Sequence, residues 1–102
     1  TSTANATGST TLDYDANQNF VLTATGNITL ANPSTETVGQ TGFIAIIQDG
    51  TGSRTLTLGT DYESPASGGI TLTTTANATD VLPYVVIAAN RVALGTPQLA
   101  FG

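Results

Sequence analysis

Gly50 and Gly52, an acid at Asp49 and a base at Arg54 stand together in IIQDGTGSRTLTLG, residues 46–59. Such a loop cradles phosphate when a lysine follows it, or when its glycines open a helix. Here there is no lysine. Gly50 and Gly52 are too close for G-x-x-x-x-G-K, Thr55 occupies the third position of a dinucleotide fingerprint, and a strand pattern follows. The spacing therefore predicts a β-hairpin. Asp49-Gly50 forms its turn, Gly52 gives a second position tolerant of positive φ, and Arg54 faces Asp49 across the loop base.

Two other acidic groupings suggest chemistry. Asp13, Asp15, Asn17 and Asn19 alternate as at the start of a calcium loop, but neither the glycine at position six nor the glutamate at position twelve is present; Ala24 stands at the latter. We expect a polar turn or strand end. Asp61 and Glu63 share a strand face, yet glycoside chemistry needs a carboxyl pair across a cleft, and nothing in the sequence places one opposite. With no His, Cys or Lys there is no base for a serine nucleophile, no thiolate and no disulfide. No catalytic residue, metal site or cofactor is expected. Three sequons, at Asn5, Asn27 and Asn77, are what chance gives in a chain this rich in Asn and Thr.

The 102 residues make one domain. Hydrophobic residues are 39%, charged residues only 9%, and about one residue in five is threonine. Disordered chains are highly charged and poor in β-branched residues, so this composition indicates an ordered all-β chain. Net charge is −5 with only two arginines. No basic footprint for nucleic acid or an anionic membrane surface exists. No apolar run of about 18 residues marks a transmembrane helix, and Thr1 opens a polar stretch instead of a leader. The absence of Met predicts a processed product or a piece of a longer chain.

Residues 1–9 are small, polar and aperiodic, and predict a flexible arm ahead of a sandwich domain over 10–102. Short runs follow at 10–14, 19–26, 27–32, 43–49, 54–62, 70–75 and 80–90, then RVALG and QLAFG. Gly26-Asn27 predicts a tight hairpin. Pro83 predicts a strand start, edge or bulge within 80–90, where a helix is the alternative. Even spacing of short strands predicts an antiparallel, jelly-roll-like β-sandwich of about eight strands. The apolar runs FIAIIQ and LPYVVIAA exceed the needs of a thin sandwich. Phe43, Ile44, Ile46, Tyr84 and Val86 are therefore candidates for an intersubunit face, as are Asp49, Gly50, Gly52 and Arg54 at the hairpin.

From about residue 17 to 90 the chain resembles a β-rich module recurrent in bacteriophage virion surface proteins, both tail fibres and capsid decoration proteins. The string QDGTGSRT (48–55) is the most specific part of the likeness. Gly39-Gln40, Thr73 to Thr75 and Asp80 add to the pattern. Relatives carry an aromatic residue where this chain has Leu58, so aromatic stacking is not carried over. The resemblance implies a structural or recognition module at the virion surface, in trimers or larger assemblies. Its expected partners are its own copies and a major capsid or tail protein.

On this basis we expect a non-enzymatic capsid decoration (cement) or fibre subunit. Two alternatives are a carbohydrate-binding tip of a tail fibre and a subunit of a bacterial extracellular filament. The carbohydrate alternative predicts exposed aromatics near loops, and with only Tyr14, Tyr62 and Tyr84 available and no Trp the sequence weighs against it.

Overall fold

Apolar and polar residues alternate along 20–30, whereas 81–88 is apolar on both faces; in both segments about one side chain in two is buried, which is what a strand with one face on a core requires. In a computed structural model describing all 102 residues, eight strands form. They are β1 (Ser2–Thr10), β2 (Phe20–Leu30), β3 (Thr41–Gln48), β4 (Leu56–Leu58), β5 (Tyr62–Glu63), β6 (Thr79–Ala88), β7 (Arg91–Leu94) and β8 (Gln98–Phe101). A single 3-10 turn spans Pro65–Ser67. The strands make one sheet in the order β1-β2-β3-β6-β7-β5, with β4 beside β2 and β8 beside β6.

The all-β class and the strand number agree with the sequence. The sheet, however, is mixed where antiparallel pairing was expected. β1, β3 and β4 all run parallel to β2, and β5 runs parallel to β7; only β3–β6, β6–β7 and β6–β8 are antiparallel. It curls into a half-barrel in place of two stacked sheets. Parallel neighbours need crossovers, and residues 11–19 and 31–40 supply them. Leu12, Tyr14 and Pro33 of these crossovers are buried. The Tyr14 ring meets Phe20 of β2 edge-on at 5.1 Å and Tyr84 of β6 at 5.3 Å. The crossovers thus help fill the core that a second sheet would otherwise fill.

That core joins Phe20, Leu22, Ile28 and Leu30 to Ile44, Ile46, Leu82 and Val86, closed by Leu56, Tyr62, Ile70 and Leu72. Burial of a side chain of this size stabilises by about 1.5–3 kcal/mol.

Three local expectations change. Residues 2–10 are not an arm outside the domain: they form β1, paired along β2 from Ser2↔Phe20 to Thr10↔Leu30. Gly26-Asn27 is not a hairpin but lies within the single strand β2, where a bulge faces Ala6–Gly8 of β1. A Cβ at Gly26 would collide with the Thr7 side chain. The run at 80–90 is a strand, and it passes straight through Pro83. β7 pairs with 84–88 and β8 with 79–81, so the missing N–H falls where one neighbour gives way to the next. There Gly95 N–H donates to the Pro83 carbonyl at 2.8 Å.

Candidate functional site

The loop 49–55 does not join a hairpin. β3 and β4 both run parallel to β2, with Gln48 beside Ala24 and Leu56 beside Ile28. The path from Gln48 to Leu56 is longer than the stretch of β2 it flanks, so the surplus is extruded as a loop. The residues with positive φ there are Gly52 (73°) and Ser53 (60°), not Gly50. A Cβ at Gly52 would stand 2.6 Å from the Thr74 carbonyl, so glycine is required by space as well as by φ.

Every N–H from 51 to 55 is already engaged. Thr51 and Gly52 donate to Asp49 Oδ1 at 3.1 Å each, and Ser53 donates to the Thr74 carbonyl at 2.9 Å. Arg54 N–H donates to Gln48 Oε1 at 3.0 Å, and Thr55 N–H to Asn27 Oδ1 at 3.1 Å. Arg54 Nη2 donates to Asp49 Oδ2 at 2.9 Å and its Nε to Oδ1 at 3.3 Å, closing the loop base as the sequence suggested. That hydrogen bond from Arg54, with two backbone donors, holds the Asp49 carboxyl below the usual range. Donors consumed inside the loop are not available to a phosphate.

Behind the loop lies a polar pair the sequence reading missed. Gln48 and Asp80 are each 2% exposed. Gln48 Nε2 donates to the Arg54 carbonyl at 2.9 Å and the Thr73 carbonyl at 2.8 Å. Asp80 Oδ2 accepts from Thr73 N–H at 2.7 Å and Oδ1 from Ala100 N–H at 2.9 Å. Together they tie 49–55, 72–75 and β8 to the sheet. The available signal was a glutamine at an inward position of an otherwise apolar strand.

The acidic groupings are occupied at Asp13, Asn19 and Glu63, while the Asp15 and Asp61 carboxylates take no hydrogen bond within the chain. Asp13 Oδ1 accepts from the N–H groups of Asp15 and Ala16, an Asx-type turn, and Asn19 Oδ1 accepts from Phe43 N–H. Glu63 takes two hydrogen bonds from Arg91, at 2.7 and 2.9 Å, which hold its carboxyl down. A glycosidase acid needs the opposite shift. No three acidic groups converge as a metal site would need.

Tyr14 and Tyr62 share a hydroxyl–hydroxyl hydrogen bond of 2.8 Å in the core. Burial pushes the Tyr62 hydroxyl up to about 12 and raises that of Tyr14 as well. The Tyr84 hydroxyl donates to the Gln18 carbonyl. All three tyrosines are buried and offer no exposed ring.

Of the apolar residues proposed for an intersubunit face, Ile44, Ile46, Tyr84 and Val86 lie in the chain's own core. Only Phe43 lies on the outer side of the sheet, because strand neighbours point to opposite faces. Two surface features remain. One is a groove of about 580 Å³ between β4–β5 and residues 67–71. Thr57, Thr60, Ser64, Ser67 and Thr71 line it with Glu63, over Leu56, Tyr62 and Ile70. Ala66 (φ 54°) and Ser67 (φ 57°) are left-handed in the adjoining turn. The other is the outer face of β6.

Residues 3–90 match the family described as "Putative phage tail fibre C-terminal domain". No curated protein and no solved structure matches the chain.

Proposed function

The chain belongs to this family of phage tail fibre C-terminal domains, a bacteriophage virion surface module, and we propose from that premise that it is a non-enzymatic structural subunit of the fibre. It works by packing, with its own copies and a tail protein as partners. The observation that carries this reading is the extent of the match, which runs from β1 through β6 and so takes in most of the sheet. Supporting it, Asp13, Glu36, Asp49, Glu63 and Asp80 are spent on contacts within the chain. The family favours the fibre over capsid decoration. Labelling intact virions with an antibody to this domain tests the choice: label on the tail fibres is expected, and label over the capsid shell overturns it.

One observation favours a second reading, receptor recognition. The groove beside β4 and β5 combines hydroxyls with the Glu63 carboxylate over an apolar floor, a surface suited to the hydroxyls of a saccharide. Specific binding on a glycan array, lost on Thr71→Trp, would support it; no binding to any glycan would remove it.

A further inference from the structure

Strand β6 turns Thr79, Val81, Pro83, Val85 and Ile87 away from the core. Register places Phe43 beside Pro83, Ala45 beside Val81 and Ala93 beside Val85 on the same face, with Val21 beyond Ala45. Phe101 of β8 lies beside Thr79. None of these positions is charged, although the chain carries seven carboxylates and two arginines. The large apolar side chains most exposed in the fold are Val38, Val85, Ile87, Leu99 and Phe101, at 63, 38, 45, 54 and 53%. Two of the five are on β6 and two on the adjoining β8.

We propose that this outer face, centred on Val85 and Ile87, is the contact between copies of this chain; the inference rests on the reading of the chain as an assembled fibre subunit. Three arguments select a second copy as occupant. An uncharged apolar face needs an uncharged apolar partner, and the same face on another copy meets that condition. At net charge −5 acidic residues would repel across a contact, but the acid that register sets at the border of this face, Glu63 beside Ala93, is paired with Arg91. The area suffices as well. β2, β3, β6 and the short β7 and β8, which share one side of β6, span four strand positions about 4.8 Å apart and some eight residues long at about 3.4 Å, a sheet face of roughly 500 Å². That is near the upper end of the largest apolar patch on a typical monomer. Side-chain relief brings its accessible area toward the ~800 Å² per partner of a standard interface. Two such faces stack about 10 Å apart, as sheets do within one domain.

Sedimentation velocity on the whole chain across a concentration series tests this. The chain should associate, and Val85→Asp with Ile87→Asp should leave a monomer. The milder pair Val85→Thr and Ile87→Thr, which keeps β-branched residues in the strand, should weaken association at least about tenfold with unchanged circular dichroism. Thr71→Asp, in the groove, should associate like the parent. Folded threonine variants that associate unchanged would overturn the face while leaving self-association intact. A parent chain that stays monomeric throughout would also overturn it, and virion labelling then judges the fibre assignment separately.

Discussion

Replacing Gln48 by leucine should cost far more than its position at a strand end suggests. The two side chains are close in size, so packing against the inner face is largely kept. What is lost is one acceptor and two donor contacts: Arg54 N–H loses Oε1, and the carbonyls of Arg54 and Thr73 lose Nε2. An unpaired backbone group out of water costs about 1–3 kcal/mol, and these three are only partly buried. At the lower end of that range each, the total is about 3 kcal/mol. For a chain of this length that lowers Tm by roughly 15 °C. Thermal and urea unfolding, followed by circular dichroism at fixed protein concentration, give the number. Amide exchange gives the location: the Arg54 N–H should lose protection while β2 keeps its own. Gln48→Glu adds a sign test. Its carboxylate would face two carbonyls, so the folded state favours the protonated form. The variant should therefore recover stability as pH falls toward the ordinary glutamate range. A Gln48→Leu protein within about 0.5 kcal/mol of the parent would show that the amide does not hold the loop.

Gly52→Ala should destabilise by about 1–3 kcal/mol, since positive φ and the Thr74 carbonyl both oppose a Cβ; Gly50→Ala, with open space and no positive φ, should be silent, and equal effects at the two sites would refute the loop geometry. Ultraviolet titration of phenolate should show no tyrosine ionising at the ordinary value near 10, because burial raises Tyr14, Tyr62 and Tyr84 alike. Raised folded values mean that this stability is present below pH ~10 and is lost as pH rises through them; one tyrosine titrating normally in the folded chain would contradict the core. Asp49 and Glu63 act in the opposite sense: their lowered values give a contribution present above the usual carboxylate range and lost as pH falls through the folded values. Asp49→Asn should flatten the acid limb of the stability profile, and an unchanged limb would show the Arg54 contact to be without effect.

Strand class and number were legible because threonine, valine and isoleucine at period two are local facts. Strand direction was not. Whether 20–30 pairs with 2–10 in parallel depends on a crossover whose core residues, Leu12 and Tyr14, sit in a stretch that reads as a short strand running into a polar turn, and that is no strand in the fold. β1 was invisible for a related reason. As an edge strand it buries only Ala6, so it shows no apolar period. The choice of inward face in β3 was equally hidden, since Phe43-Ala45-Ile47 and Ile44-Ile46 are comparably apolar. Pairing decides it: Ile44 lies between Phe20 and Leu82, both core residues.

A site built for chemistry keeps polar groups preorganised but unspent, so that a substrate can take them. Here the spending is internal. Asp49 closes on Arg54, Glu63 on Arg91, Asp13 and Asp80 on backbone amides, and Glu36 on the Asn90 N–H. The rules of local consistency are broken elsewhere, and such breaks collect where a protein is selected for more than folding. Val85 and Ile87 expose β-branched side chains along a central strand. Ala66 and Ser67 adopt left-handed backbone beside the groove, at a cost of about 1 kcal/mol or more each. Both departures lie on the surface, and both are unmatched within the chain. Apart from the buried Gln40 Oε1, which has no hydrogen-bond partner, what this fold leaves unmatched is apolar area and shape at its surface.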